Sequence, residues 1–105
     1  LGRHMGRAIP LDIGSMHFAK KADAIEYVRK LIGKYSIGSF LDAEDTSFCL
    51  ALFARHSHFS EKAGSGIKAI EVRRDEYGNK HFQIHRTDGT NIDISWVHCI
   101  TPKGE

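Results

Sequence analysis

Apolar residues fall at every second position through the C-terminal third of the chain: Ile70 and Val72, then Phe82 and Ile84, then Ile92, Ile94 and Trp96. Period-2 alternation predicts strands with one buried face. Glycine-bearing turns separate the runs, so the stretch from Gly64 to Cys99 predicts three strands joined by two hairpins. Residues directly opposite on antiparallel strands share one side of the sheet, so apolar must meet apolar. A two-residue turn at Asp88-Gly89 would set Ile84 against Asp93 and mix the faces. A three-residue loop, Thr87-Asp88-Gly89, instead pairs Ile84 with Ile92 and Phe82 with Ile94. Its last residue must be left-handed, which glycine adopts without steric cost. Loop Glu76-Tyr77-Gly78 solves the same way, pairing Val72 with Phe82 and Ile70 with Ile84.

Upstream, Ile9, Leu11 and Ile13 alternate as a short strand that Pro10 confines to a sheet edge and Gly14-Ser15 ends. From about Ala19 to Lys34 the spacing changes to 3–4: Phe18, Ala22, Ile25, Val28, Ile32 and Tyr35 form one stripe, with Lys20, Lys21, Arg29 and Lys30 on the wet side. A second helix is predicted after Asp42 as N-cap, with Asp45 three residues on approximating a capping box. Its stripe is Phe48, Cys49, Leu52 and Phe53, ending near Arg55-His56. His56 to Gly66 reads as an irregular loop, Val97 to Ile100 as an extension of the last strand's pairing, and Thr101 to Glu105 as a frayed tail. The fold class predicted is α+β: a twisted antiparallel sheet of three to four strands with two helices packed on one face. The other face then carries Glu71, Arg73, His81, Gln83, His85, Asn91, Asp93 and Ser95.

A chain of 105 residues predicts a single domain. Leu1 to His4, before Met5, reads as a vector remnant, leaving 5–105 as the domain. The formal charge of +2 falls to +1 without Arg3, too little for nucleic-acid binding through net charge, so any such binding needs a local patch. No apolar run approaches the ~20 residues of a membrane span, so no membrane partner is expected. Two cysteines, Cys49 and Cys99, predict buried free thiols and a cytoplasmic setting, or an organelle stroma in a plant.

Seven histidines raise the question of metal. His81 and His85 are spaced like a helical ligand pair, but on a strand they lie about 13 Å apart and cannot share one ion. His56 and His58, with His98 or Cys99, are better placed, yet no Cys-x-x-Cys or His-Glu-x-x-His motif supports them, and no cofactor is expected. For catalysis, Ser57 and Ser60 stand near His56 and His58 only in sequence. Glu71 and Asp93 share a cross-strand row with Gln83 between them, on a flat, wet face expected to shift pKa values little. No catalytic residue is assigned. For nucleic acid, the open face lacks Phe, Tyr and Trp, against a base-stacking platform. Arg73, Arg74 and Lys80 surround Tyr77 at the first hairpin's tip, and Lys62 and Lys68 bracket Gly64-Ser65-Gly66, whose amides suit a phosphate.

The runs Lys62-Ala-Gly-Ser-Gly66, Phe82-Gln-Ile-His-Arg-Thr-Asp-Gly89 and Asp93-Ile-Ser-Trp-Val-His-Cys-Ile100, with His56 and the early Ile13-Gly14 and Phe18-Ala-Lys20, resemble the DCL ("defective chloroplasts and leaves") domain, a small domain of unknown function. The likeness spans roughly Ile9 to Ile100. It departs at His56-Ser57, where the family tends to have His-Pro, which loosens that loop. The resemblance implies a link to plastid ribosomal RNA maturation and to the large subunits of plant RNA polymerases acting in silencing; it supplies no catalytic residues. Asp93 and Ser95 face outward in the predicted register, so structure explains them least.

The functional expectation is a small non-catalytic binding module for RNA or a ribonucleoprotein assembly. Its candidate residues are His56, Lys62, Gly64, Gly66, Arg73, Arg74, Tyr77, Lys80, His81, His85, Asp93 and Ser95. One alternative is a protein-interaction or homo-oligomerisation domain; another is a metal-dependent hydrolase around His56 and His58.

Overall fold

A computed structural model describes residues 9–101. The readings of Leu1–His4 as a vector remnant and of the tail beyond Thr101 therefore lie outside the described residues. The architecture is α+β. Strands β1 (Leu11–Ile13) and β2 (Met16–Phe18) make a small hairpin, followed by helices α1 (Lys21–Gly33), α2 (Ala43–Phe53) and α3 (Phe59–Ala63). Strands β3 (Ile67–Arg74), β4 (Lys80–Arg86) and β5 (Asn91–Ile94) then form an antiparallel meander, and helix α4 (Trp96–Ile100) closes the described chain.

The meander has the predicted register. Val72 faces Phe82 and Ile70 faces Ile84, while Phe82 faces Ile94 and Ile84 faces Ile92. Gly78 and Gly89 sit at φ 88° and 93°, each last in its three-residue loop, a backbone that L side chains resist. One face is thereby apolar through its centre, with Arg74 and Lys80 at its hairpin end. Ile70, Val72, Phe82, Ile84 and Ile94 are buried against Val28, Leu31 and Ile32 of α1 and Leu52 and Phe53 of α2. The rings of Phe53 and Phe82 meet at 5.6 Å, tilted, as favourable aromatic pairs do. Cys49 and Cys99 are free and fully buried, and burial pushes the Cys99 thiol up to about 12.

The sequence pattern misplaces four features. Phe18 belongs to β2 and the chain bends at Ala19 and Lys20 before turning helical, so the helix starts later and its buried stripe is Ala24, Val28, Leu31 and Ile32, with Ala22 exposed. The His56–Gly66 stretch contains α3 and is not wholly irregular. Trp96 is helical, and Val97–Ile100 do not extend the sheet. Ser95 caps α4, its hydroxyl accepting the His98 amide at 3.3 Å, which turns the chain away from the strand. Finally, the Asp42 cap is not a reciprocal box. Asp42 accepts the Asp45 amide at 2.8 Å, but the Asp42 amide donates to the Tyr35 hydroxyl at 3.1 Å, and that hydroxyl donates to the buried Asp45 carboxylate at 2.7 Å. Lys34 completes the relay at 3.0 Å, tying the end of α1 to the start of α2.

Both sheet edges are guarded. Residues 38–41 run along the free edge of β3 and cover it with an isolated antiparallel bridge, through Gly38 N–H to Val72 (2.7 Å), Val72 N–H to Ser39 (2.9 Å) and Leu41 N–H to Ile70 (3.0 Å). On the far side, α3 reaches β5 through Lys62 Nζ, which donates to the Asp93 carbonyl at 2.8 Å.

Candidate functional site

The polar face of the meander is a hydrogen-bonded surface, not a set of solvated side chains. The Glu71 carboxylate accepts from Arg73 Nε at 2.9 Å and bonds His85 Nε2 at 2.7 Å. These contacts, that of His85 first, hold it below the usual carboxylate range, contrary to the expectation of a face too wet to shift a pKa. Gln83 is buried in the centre of the face, donating from Nε2 to Asn91 at 2.7 Å. Its oxygen is left facing His81 Nε2 at 3.0 Å, so His81 donates through Nε2. His81 Nδ1 is then a buried acceptor with no partner among the described residues.

The same face carries an aromatic ring that the sequence places elsewhere. The 38–41 segment bridges Phe40 to Glu71, leaving Phe40 52% exposed and its ring 5.2 Å from the His85 ring. The expectation that no Phe, Tyr or Trp stands on this face is thus corrected.

At the first hairpin, Arg73 is tied to Glu71, and Lys80 Nζ donates to the Tyr35 carbonyl just beyond α1 at 2.6 Å. Of the three bases around Tyr77, only Arg74 lacks a side-chain partner among the described residues, while the Tyr77 side chain stands 80% exposed. Between this tip and the β5–α4 junction lies a notch of about 550 Å³, which Tyr77, Lys80, His81, Asp93 and Ser95 line together with Asp75, Glu76 and Trp96. Five of the expected residues therefore meet in one place.

Neither glycine of the Gly64-Ser65-Gly66 loop offers its amide to an anion. Gly64 N–H bonds the Ser60 carbonyl at 3.0 Å and Gly66 N–H that of Ala63 at 2.8 Å, as caps of α3. Arg86 lies over Gly64, donating to the Lys62 carbonyl at 3.0 Å and the Glu61 carbonyl at 3.2 Å. A Cβ at Gly64 would stand 2.8 Å from Arg86 Cδ, so this glycine makes room for an arginine of the same chain. Lys62 is engaged with Asp93, and Ser95 with its helix.

The histidines of the loop group around α4. His56 is buried and stacks on His98 at 4.4 Å, and its Nδ1 accepts the His58 amide at 3.0 Å. Burial, with His98 second, lowers its pKa, so the neutral ring is favoured. His98 Nε2 meets Ser57 Oγ at 2.9 Å, and His58 Nδ1 meets Glu61 at 3.1 Å. No group of three or more His, Cys, Asp or Glu among the described residues is arranged to hold a metal ion. Among the described residues, no helix is long and apolar enough to cross a membrane.

Sequence reasoning misses Phe40 and Trp96. Phe40 carries no local signal, since its place depends on pairing with a strand some thirty residues away.

A three-stranded meander backed by two helices, with a bonded polar face and a notch at one end, defines a small α+β domain. Residues 29–100 match the family described as "Protein of unknown function (DUF3223)", and the chain belongs to that family, the DCL-type domain. It is similar to an uncharacterized protein from Rhodospirillum rubrum solved by solution NMR, with 34% identity, a TM-score of 0.83, and 90% of this chain and 91% of that one covered. It is also similar to DNA-directed RNA polymerase IV subunit 1 of Arabidopsis thaliana, 26% identical over 98 residues, which are 90% of this chain but only 7% of that subunit.

Proposed function

We propose that this domain is a small non-catalytic binding module that presents the polar face of β3–β4–β5 to single-stranded RNA within an RNA-handling assembly. The observation that carries this reading is Phe40, exposed on that face beside His85. An exposed ring on a sheet bearing hydrogen-bonding side chains is what stacks an unpaired base, and stacking contributes about 1–3 kcal/mol per base. Arg73, opposite His81 on that face and still part-exposed beside Glu71, supplies charge for a flanking phosphate. The likeness to a small part of an RNA polymerase subunit supports a setting in which RNA is at hand. Anisotropy of a labelled single-stranded oligoribonucleotide tests it: binding should weaken with salt, and Phe40→Ala should reduce affinity about tenfold, one stacked base. Affinity indifferent to Phe40 would overturn the reading. Ile37, exposed on the same segment as Phe40, favours a second one, in which this edge meets another protein chain. A mass that rises with concentration and reverts in Phe40→Ala would select it.

A further inference from the structure

The notch beneath the first hairpin has a chemistry unlike that of the RNA-facing surface. It exists because Ser95 caps α4 and takes the chain off the sheet while β4 runs on to His81 and Lys80, leaving a hollow of about 550 Å³ under the hairpin tip. The hairpin contributes Tyr77 and the start of α4 contributes Trp96, so aromatic surface enters from both elements. The polar groups are almost all acceptors. Glu76 and Asp93 have carboxylates without a side-chain bond to any described residue. Asp75 adds a third carboxylate, although one of its oxygens already accepts the Tyr77 and Asn79 amides. The one ammonium in the lining, that of Lys80, is bonded to the Tyr35 carbonyl, and Lys62 nearby is bonded to the Asp93 carbonyl.

A site rich in acceptors and carboxylates, walled by aromatic rings, calls for a flat, cationic, donor-rich guest. The geometry points to the guanidinium of an arginine on a basic segment of a partner protein, seated in the notch against Tyr77 and Trp96 and paired with Asp93 and Glu76. Guanidinium groups lie flat on aromatic faces and bond carboxylates through two parallel N–H donors, whereas an ammonium is neither planar nor bidentate. A guanine base has a similar donor edge, but the phosphates it brings would be set among three carboxylates.

Trp96 is the chain's single tryptophan, so its fluorescence reports the notch directly. Titration with the capped peptide acetyl-Gly-Arg-Gly-Arg-Gly-amide should give a saturable change, with the lysine counterpart binding at least threefold more weakly. Glu76→Gln combined with Asp93→Asn should weaken arginine-peptide binding at least tenfold while the amide NMR spectrum stays that of the folded domain. Phe40→Ala should leave it unaltered, which separates this site from the RNA surface. Absence of a saturable signal, full affinity in the double variant, or a guanine-containing oligoribonucleotide that binds at Trp96 more tightly than the peptide would each overturn the assignment.

Discussion

The two hairpins of the meander obey one local rule and have opposite fates. Each has a three-residue loop ending on a glycine with φ near 90°, and each thereby keeps apolar residues on one side. The second is held down: Ser65 Oγ accepts the Thr87 hydroxyl at 2.9 Å and the Asp88 amide at 3.2 Å, and Arg86 runs beneath it to the carbonyls of α3. The first projects, with Tyr77 almost fully open to solvent. Turn chemistry therefore sets register in both, while contacts from distant segments decide which tip is available to a ligand. The glycine-rich loop that looks like an anion cradle in sequence is the clamp of the second hairpin, and the unclamped tip overhangs the notch.

The largest expected effect is at the clamp. Gly64→Ala forces a side chain into φ +53° and against Arg86, and should cost about 2–3 kcal/mol by urea denaturation. Arg86→Ala removes bonds to Glu61, Lys62 and Thr90, each worth about 0.5–1.5 kcal/mol, and should cost about 2 kcal/mol. The pair should couple. With Arg86 truncated the clash is gone, so the double variant should be less unstable than the sum of the two single ones. Strict additivity would mean that Gly64 and Arg86 do not form the clamp described.

Next in size are the loop glycines. Gly78→Ala and Gly89→Ala meet no atom within 4 Å, so each should lose only the backbone preference, about 1 kcal/mol, and by the same amount in both hairpins. A much greater loss at Gly89 would show that the clamp also depends on its turn. Smaller still, Tyr77→Ala should change stability by less than about 0.5 kcal/mol, since so exposed a side chain holds nothing in place.

These differences mark what the sequence could and could not disclose. Register was legible because side-chain alternation and glycine turns are local, and the two loops constrain each other. The turn into α4 was not, because Ile92, Ile94 and Trp96 keep the strand period across Ser95, and a cap followed by a short apolar run reads equally as strand or helix. β2 escapes for a similar reason: three residues cannot establish a period, so Phe18 reads as part of the helical stripe that follows. The site was legible only as a list of residue types. That Lys80 and Lys62 are bonded within the fold, and that Phe40 arrives on the polar face from outside the meander, are long-range facts with no sequence spacing to announce them.

The finest distinction between the hairpins is in their acids. Asp88 in the second accepts both the hydroxyl of Thr90, at 2.6 Å, and its amide, at 3.0 Å, whereas Asp75 in the first accepts amides alone. The Thr90 hydroxyl is the foremost of the contacts that lower the Asp88 pKa below its ordinary 3.8. A depressed carboxyl pKa means that the folded chain binds the proton less readily than the unfolded one. What Asp88 contributes is therefore complete above pH 3.8 and fades as pH falls through its folded value. Carbon-detected NMR should find the Asp88 midpoint below 3.8, and Thr90→Ala, which keeps the amide but deletes the hydroxyl, should move it back upward. A midpoint unmoved by that substitution would assign the shift to the turn's backbone, and the two hairpins would then differ only in the residues that clamp them.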